Sequence, residues 1–179
     1  CSVAAEGGHL VVVKRLLEEG ASVNAVTREG CTPVKLAAQG GHERAVQVLI
    51  EAKAALDLKD SAGDTALGRA ARGGHEGIVR KLKAAGLTAD ETRDGRGRTA
   101  LARAAMDGDT AAVRMLLEVA GAEVDTKDNI GATVLMWAAT GGHEDTVKAL
   151  LSAGALVNAR TFEQGSALMR AAEGGHEAT

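Results

Sequence analysis

Aromatic residues are almost missing from this chain of 179 residues, which has one Trp, one Phe and no Tyr. A core must therefore be assembled from Ala, Val and Leu, whose small side chains suit closely packed helices. Only two cysteines are present, Cys1 and Cys31. They are too few for a disulfide framework and have no C-x-x-C spacing, so the sequence favours a reducing compartment and indicates no zinc or redox site.

A strong charge imbalance and long apolar runs are also lacking. The formal charge is −3, from 21 basic and 24 acidic residues, which gives no general attraction to nucleic acid or to anionic membranes. No run approaches the roughly 18 consecutive apolar residues that a membrane span needs, and no basic segment precedes an apolar one at the N-terminus. We therefore expect no nucleic-acid partner and no membrane insertion.

One motif recurs along the whole chain. Ala-Ala pairs return at steps of 33 or 34 residues. They are Ala4-Ala5, Ala37-Ala38, Ala70-Ala71, Ala104-Ala105, Ala138-Ala139 and Ala171-Ala172. The five histidines follow Gly-Gly pairs with the same spacing, and Asp109 takes the remaining place. A fixed period of this size is typical of a solenoid, in which each unit buries its apolar face only against its neighbours.

Each period predicts two short helices and a turn. Thr32 starts a first helix, Pro33 takes its first position, and Gly40-Gly41 ends it. A second helix is predicted over 43–52, where apolar residues at i, i+3 and i+4 form one stripe. The segment 55–63 is rich in Asp and closes on Gly, which suits an extended turn.

The motifs Gly30-Cys31-Thr32-Pro33-Val34 and Ala37-Ala38-Gln39-Gly40-Gly41-His42 resemble those of the ankyrin repeat family. The resemblance covers the whole chain and implies an all-α, ankyrin-type helical repeat solenoid, with 1–179 as a single array. About four full repeats are expected between two partial terminal repeats. The boundaries are 1–26, 27–59, 60–93, 94–127, 128–160 and 161–179. Because neither partial repeat provides a complete polar cap, we expect the chain to be a segment of something longer.

Several departures from the family pattern bear on local geometry. The family's Thr-Pro-Leu-His tetrad is incomplete throughout, since proline occurs only at Pro33 and no repeat has the histidine. Gln164 takes the place that glycine holds in the four preceding turns, so we expect the last turn to differ in geometry. Extra residues near Arg93 and Ala120 lengthen two repeats, and altered turns are expected there.

The regularly spaced histidines suggest a metal site or a pH switch, but their spacing opposes a metal site. Neighbouring repeats place them about 8–10 Å apart, whereas a shared zinc needs each nitrogen within about 2.1 Å. We therefore predict no metal site and expect each histidine to cap its second helix and contact the preceding loop. No phosphate-binding glycine loop or nucleophile motif is found, so we predict no catalysis, no cofactor and no small-molecule substrate.

The main candidate site is the position before each Ala-Ala pair, which is Arg or Trp in four of six repeats. These residues are Arg69, Arg103, Trp137 and Arg170. The resemblance implies that this position projects from the first helix toward a concave face. Residues three positions later should share that face. These are Arg72, Met106 and Thr140. Exposed Trp and Arg are typical of interaction hot spots. Alternatively, Arg103 and Arg170 stack over Trp137 or pair with acidic turn residues, and only order the fold.

The turn tips form a second candidate surface, in which Arg96 and Phe162 would contact a partner. Phe162 is the only Phe in the chain, and a turn gives it little cover unless a neighbouring repeat or a partner supplies it. We predict a non-catalytic protein–protein interaction scaffold that binds an extended or acidic protein segment. The alternatives are a structural spacer in a larger assembly and a substrate-positioning region of a larger multidomain protein.

Overall fold

The structure is a computed structural model, and it describes residues 2–88 and 93–175. Its regular elements there are eleven helices, and one isolated bridge pairs Lys127 with Thr133. The helices are α1 (Ser2–Glu6), α2 (Leu10–Glu18), α3 (Pro33–Gln39), α4 (Glu43–Glu51), α5 (Ala66–Arg72), α6 (Glu76–Ala84), α7 (Ala100–Met106), α8 (Thr110–Glu118), α9 (Val134–Thr140), α10 (Glu144–Ser152) and α11 (Ala167–Glu173). The expected all-α class is confirmed, and the helix predicted over 43–52 is present as α4.

Two compact units divide the chain, Cys1–Thr88 and Ala89–Thr179. The end of the expected repeat 60–93 and the end of the partial repeat 161–179 fall partly on 89–92 and 176–179, which lie outside the described residues. The expected single array over 1–179 therefore stays a prediction. No helix within 2–88 or 93–175 is long and apolar enough to cross a membrane.

In the first unit, three antiparallel helix pairs stand side by side: α1 with α2, α3 with α4, and α5 with α6. The first helices pack in the order α1, α3, α5, and the second helices in the order α2, α4, α6. Ala37, Ala38 and Ala70 are fully buried between the first helices. Their small side chains allow the helix axes to approach closely, and Leu49 and Leu82 fill the space under the second helices.

The second unit repeats this arrangement with α7 and α8, then α9 and α10, and then α11 alone. Its first helices pack in the order α7, α9, α11, and α8 contacts α10. Leu101, Leu116 and Leu150 are buried in its core. Each unit therefore buries its apolar side chains mainly between neighbouring helix pairs, as the repeat period predicts.

The first helices begin at hydroxyl residues that cap them. Thr65, Thr99, Thr133 and Ser166 each accept a hydrogen bond from a backbone N–H three residues later. Thr32 occupies the same position in the first unit but makes no such bond, and Pro33 follows it. The capping oxygen and the proline together explain why the first helices start where the sequence predicts.

The histidines do not cap the second helices with their side chains. Each described cap histidine is the N-cap residue of its helix, but its ring makes no capping bond. Nε2 of His42, His75 and His143 instead donates to a carbonyl oxygen at the end of the preceding repeat's first helix, over 2.7, 3.0 and 3.0 Å. The histidines therefore hold the expected N-cap position and contact the preceding repeat, but their rings bond across the Gly-Gly corner and not to the start of the second helix.

Gln164 does not change the geometry of the last turn. Its φ is 66°, close to the 78° of Gly131 at the matching place one repeat earlier. Lys53 similarly has a φ of 62°, where Gly20 and Gly86 stand in the flanking repeats. The expectation of a different turn is wrong, because the Gln164 N–H donates to the Thr161 carbonyl oxygen just as the Gly131 N–H donates to that of Asp128, and both need the left-handed backbone.

Candidate functional site

An aspartate begins three of the turns and closes each of them with one carboxylate oxygen. Oδ1 of Asp60 accepts the backbone N–H groups of Ala62 and Asp64, both at 2.9 Å. Oδ1 of Asp94 and Oδ1 of Asp128 accept the corresponding pairs in their own turns. The second oxygen, Oδ2, is then available to a side chain from the following helix or from the turn itself.

In the first unit that side chain is Arg69. Its Nε and Nη2 donate to Asp60 Oδ2 at 3.0 and 2.7 Å, and its Nη1 donates to Gln39 Oε1 at 2.9 Å. The carboxylate of Asp64 lies 3.3 Å from Nη1 of Arg72. Arg69 and Arg72 therefore lie beside the same turn, and both are engaged with its acidic residues, with 24% and 33% of their side chains exposed.

Charge and hydrogen bonding keep this pair ionised. Burial acts to raise the pKa of Asp60, but the Asp64 backbone N–H and the Arg69 guanidinium outweigh it and leave the pKa below its ordinary value. Burial likewise acts to lower the pKa of Arg69, and the hydrogen bonds and charge of Asp60 reverse the direction. The pair is thus a charged link between a turn and a helix, and the sequence interpretation did not single out Asp60.

Lys35 is a second residue that the sequence interpretation did not select. Its side chain is buried, and Nζ donates to the carbonyl oxygen of Gly30 at 2.7 Å. Burial lowers the pKa of Lys35, while the charge of Asp60 acts in the opposite direction. A lysine at the place where the family has histidine was the available signal, and the charge of Asp60 acts on its cation.

In the second unit, Trp137 bonds to the turn of its own repeat. Its Nε1 donates to Asp128 Oδ2 at 3.1 Å, and the Arg98 guanidinium carbon lies 5.7 Å from the ring centroid. Arg98 also donates through Nε to Asp94 Oδ2 at 2.8 Å, and its Nη1 lies 3.0 Å from the sulfur of Met106. Arg98 therefore joins Trp137 and Met106, two of the predicted site residues.

The cation over Trp137 is thus Arg98 and not Arg103, which the sequence interpretation had considered. Arg103 is 4% exposed and lies within the helix layer, away from an open surface. Arg98 precedes the cap residue Thr99 and starts from the turn, so it reaches over the ring of the next repeat. Burial acts to raise the pKa of Asp94, but the backbone N–H groups of its turn and the Arg98 guanidinium lower it overall.

The remaining predicted site residues are more open. Thr140 is exposed, and its hydroxyl donates to the carbonyl oxygen of Met136 at 2.8 Å. Arg96 is exposed at a turn tip, and its carbonyl oxygen accepts the Asn129 N–H at 3.0 Å. The next pair of turn tips makes the same kind of contact, in which the Phe162 N–H donates to the Ile130 carbonyl oxygen at 3.1 Å. Phe162 is nevertheless 74% exposed.

Phe162 and Arg170 meet at a small pocket in the last described turn. The pocket has a volume of about 160 Å³. Its lining residues are Asn129, Ile130, Thr161, Phe162, Glu163 and Arg170. Arg170 is half-buried, and within 93–175 no hydrogen bond or ion pair joins its guanidinium to a protein group. Two predicted site residues therefore lie side by side, an exposed ring and a cation that no acid of this described range neutralises.

The ankyrin repeat model matches three overlapping segments, residues 2–92, 85–161 and 101–179. This chain belongs to the ankyrin repeat family. The expected ankyrin-type repeats are thereby confirmed, and ankyrin repeats are a general protein-interaction fold that is typically non-catalytic. No curated protein sequence matches the chain.

Two solved structures share this ankyrin architecture. One is a chain from the structure of the predatory endopeptidase Bd0816 from Bdellovibrio bacteriovorus in complex with the immunity protein Bd3460; that chain shows 28% identity and a TM-score of 0.75. The similarity covers 99% of this chain and 92% of that chain. The other is the human ASB11 ankyrin repeat domain, with 24% identity, a TM-score of 0.70, and coverage of 95% and 90%. The second likeness shows the fold alone.

The described ankyrin repeats do not gather metal ligands. Within 2–88 and 93–175, no group of three His, Cys, Asp or Glu side chains is arranged to hold a metal ion. Cys31 is buried, and its Sγ lies 4.0 Å from Asp60 Oδ2. The chemistry that the arrangement does offer is recognition, by exposed apolar side chains at the turn tips and by arginines that the turns position.

Proposed function

We propose that this chain is a non-catalytic interaction module that binds a protein segment through its turn tips and the adjoining side of the first helices. The observation that carries the proposal is the exposure of two large apolar side chains at adjacent turn tips. Phe162 is 74% exposed and Ile130 is 49% exposed. Exposed apolar groups on a surface whose polar groups bond to one another favour contact with another protein.

The roles of the predicted site residues divide according to their contacts. Arg69 and Trp137 bond to turn carboxylates, and Arg103 is buried, so we assign to these three the task of holding the binding surface in shape. Arg96, Phe162 and Arg170 are the residues that we assign to direct contact with the partner. Within the second unit, Met106 and Thr140 would line the edge of this surface, and Arg72 holds the corresponding helix position in the first unit.

A second candidate is that the partner is a folded enzyme and not an extended segment. The chain with 28% identity comes from a complex of an endopeptidase with an immunity protein, and it is matched over 92% of its length. This likeness favours an enzyme–inhibitor setting for the present ankyrin repeats. In that case binding would reduce the activity of the partner, with the turn tips as the contact surface.

A random peptide display library selected on the immobilised chain tests the first candidate. We expect bound peptides whose affinity falls at least about tenfold when Ile130 and Phe162 are both changed to Ala, because two large apolar contacts are lost. Val11→Ala is the matched control, since Val11 is 80% exposed on the second helix α2. Peptides that lose affinity with Val11→Ala but not with the double variant would favour the structural-spacer alternative, in which the outer helices make the contacts.

A further inference from the structure

We propose that the pocket between Phe162 and Arg170 receives an Asp or Glu side chain of the bound segment, with an apolar neighbour of that acid resting on Phe162 and Ile130. This inference rests on the proposed function and names the chemistry of its anchor. Each turn of the chain has a first residue and, nine positions later, a residue on the following helix, and the last described turn differs from the others in how these two residues match.

The first residue of a turn matches what the helix residue requires. Asp60 is followed nine positions later by Arg69, and Asp128 by Trp137, and in both pairs the helix side chain donates to Oδ2. Thr27 stands where the aspartates stand, and its hydroxyl oxygen accepts the Cys31 N–H at 3.2 Å. Its helix residue, nine positions later, is Leu36, an apolar side chain that needs no acceptor.

In the turn that begins at Asp94, the second carboxylate oxygen also accepts hydrogen bonds from a guanidinium, but the arginine lies in the turn and not on the helix. Oδ2 of Asp94 accepts Nε of Arg98, and the Nη2 of Arg98 lies 2.8 Å from the same oxygen. The helix residue of that repeat, Arg103, is buried. In this turn too, a guanidinium takes up the second carboxylate oxygen.

The last described turn breaks the match. Thr161 uses its hydroxyl oxygen to accept the Gly165 N–H at 2.9 Å, and it has no second oxygen. Yet the helix residue nine positions later is Arg170, the same side chain as Arg69. Arg170 therefore faces a turn that lacks the carboxylate which its counterpart binds.

The pocket supplies the other properties that a carboxylate site needs. Arg170 is half-buried, and partial removal from water strengthens a charge-assisted hydrogen bond. The acid that lines the same pocket is Glu163, and it forms no ion pair with Arg170 in the described structure. The Phe162 backbone is fixed by its bond to Ile130, and its ring lies so close over Gly131 that a Cβ added there would be 3.2 Å from the ring. An acid and an apolar side chain, adjacent in a peptide, match this pairing of cation and ring.

Thr161→Asp is the decisive variant, because it supplies the missing carboxylate while leaving Arg170 and Phe162 in place. Asp already begins three turns of the chain, so the turn should accept it. We expect peptides selected on the wild-type chain to contain Asp or Glu beside an apolar residue, and to bind Thr161→Asp at least about tenfold more weakly. Arg170→Gln should lose a similar factor.

The control is Arg114→Gln, since Arg114 is an exposed arginine on the second helix α8. This variant should bind the selected peptides with the affinity of the wild-type chain. A peptide whose acid is changed to the amide should bind the wild-type chain more weakly than the parent peptide does. The two peptides should bind Arg170→Gln with equal affinity, which assigns the loss to the contact between Arg170 and the peptide acid. If thermal melting showed Thr161→Asp unfolded, Arg170→Gln and the amide peptide would decide.

The possible failures are distinguishable. Peptides that depend on Phe162 and Ile130 but bind Thr161→Asp and Arg170→Gln with wild-type affinity would overturn this inference and leave the proposed function standing. A library that yields no binder to the wild-type chain would overturn this inference together with the first candidate function, the binding of an extended segment.

Discussion

Arg69 donates two hydrogen bonds, of 3.0 and 2.7 Å, to a single oxygen of Asp60, the residue that opens the turn before its helix. The other oxygen of Asp60 holds the turn itself together. One carboxylate thus fixes the turn and also fixes the turn to the helix. The side chain of Asp60 is fully buried, so water cannot replace either set of bonds.

Asp60→Asn should therefore destabilise the chain. Asn keeps one acceptor oxygen but removes the charge that Arg69 faces, and breaking a buried ion pair costs about 3–5 kcal/mol. Because Arg69 is 24% exposed, we expect about 2–3 kcal/mol, read from urea unfolding at neutral pH. Asp57→Asn, at an exposed turn position, is the matched control and should change little.

The same variant predicts a pH dependence. The folded-state pKa of Asp60 lies below its ordinary value, so its stabilising effect is complete above the unfolded-state pKa, about 4, and is lost as the pH falls through the folded-state pKa. The difference in unfolding free energy between wild type and Asp60→Asn should then be constant from neutral pH to about pH 5 and shrink below about pH 4. A difference that instead grew on acidification would contradict the ionised pair.

Leu116→Ala should cost about 2–5 kcal/mol of unfolding free energy, because it leaves a cavity where packing is complete. Leu116 is 1% exposed in the core of the second unit. The adjacent Leu117 is half-buried, so Leu117→Ala should cost clearly less, and the two variants differ only in burial. Equal losses in chemical denaturation would mean that the stripe of apolar residues on α8 is not the one that packs.

Two residues carry backbone strain that glycine would remove. Lys53 and Gln164 have φ values of 62° and 66°, at places where other repeats have glycine. Lys53→Gly and Gln164→Gly should each stabilise the chain by up to about 1 kcal/mol. The left-handed backbone costs a non-glycine residue about 1–2 kcal/mol, and the larger conformational entropy of glycine in the unfolded chain offsets part of the gain. Melting temperature is the measurement.

Gly86→Ala is the reverse control for these two variants. Its φ is 95°, and an added Cβ would meet nothing within 4 Å, so any loss of stability comes from the backbone alone. We expect a fall in melting temperature. A rise with Gly86→Ala, or no gain from either glycine substitution, would show that the left-handed positions carry no cost here.

Sequence periodicity was sufficient to predict the helices. The Ala-Ala pairs recur in every repeat and the Gly-Gly corners in five of the six, so each local signal occurs several times, and α3 and α4 are found where they were expected. Backbone geometry follows the repeat even where the residue changes, as at Gln164. The partner of each arginine is less predictable.

Side-chain pairing could not be predicted, because more than one side chain can reach the same oxygen. Asp94 is within reach of Arg98, four positions later, and of the place held by Arg103, nine positions later. The period favours the second pairing, by analogy with Asp60 and Arg69. The structure has the first, since Arg98 lies beside the turn and also covers Trp137. Which arginine binds the turn carboxylate is decided by these short local contacts.

Trp137 provides an intrinsic fluorescence probe of unfolding. It is the only tryptophan, and it lies in the unit Ala89–Thr179 against the Asp128 carboxylate and the Arg98 cation. Its emission therefore follows the melting of that unit, whereas far-ultraviolet circular dichroism follows the helices of both. Superimposable melting curves from the two signals would identify a single cooperative transition, and separated curves would give each unit its own midpoint.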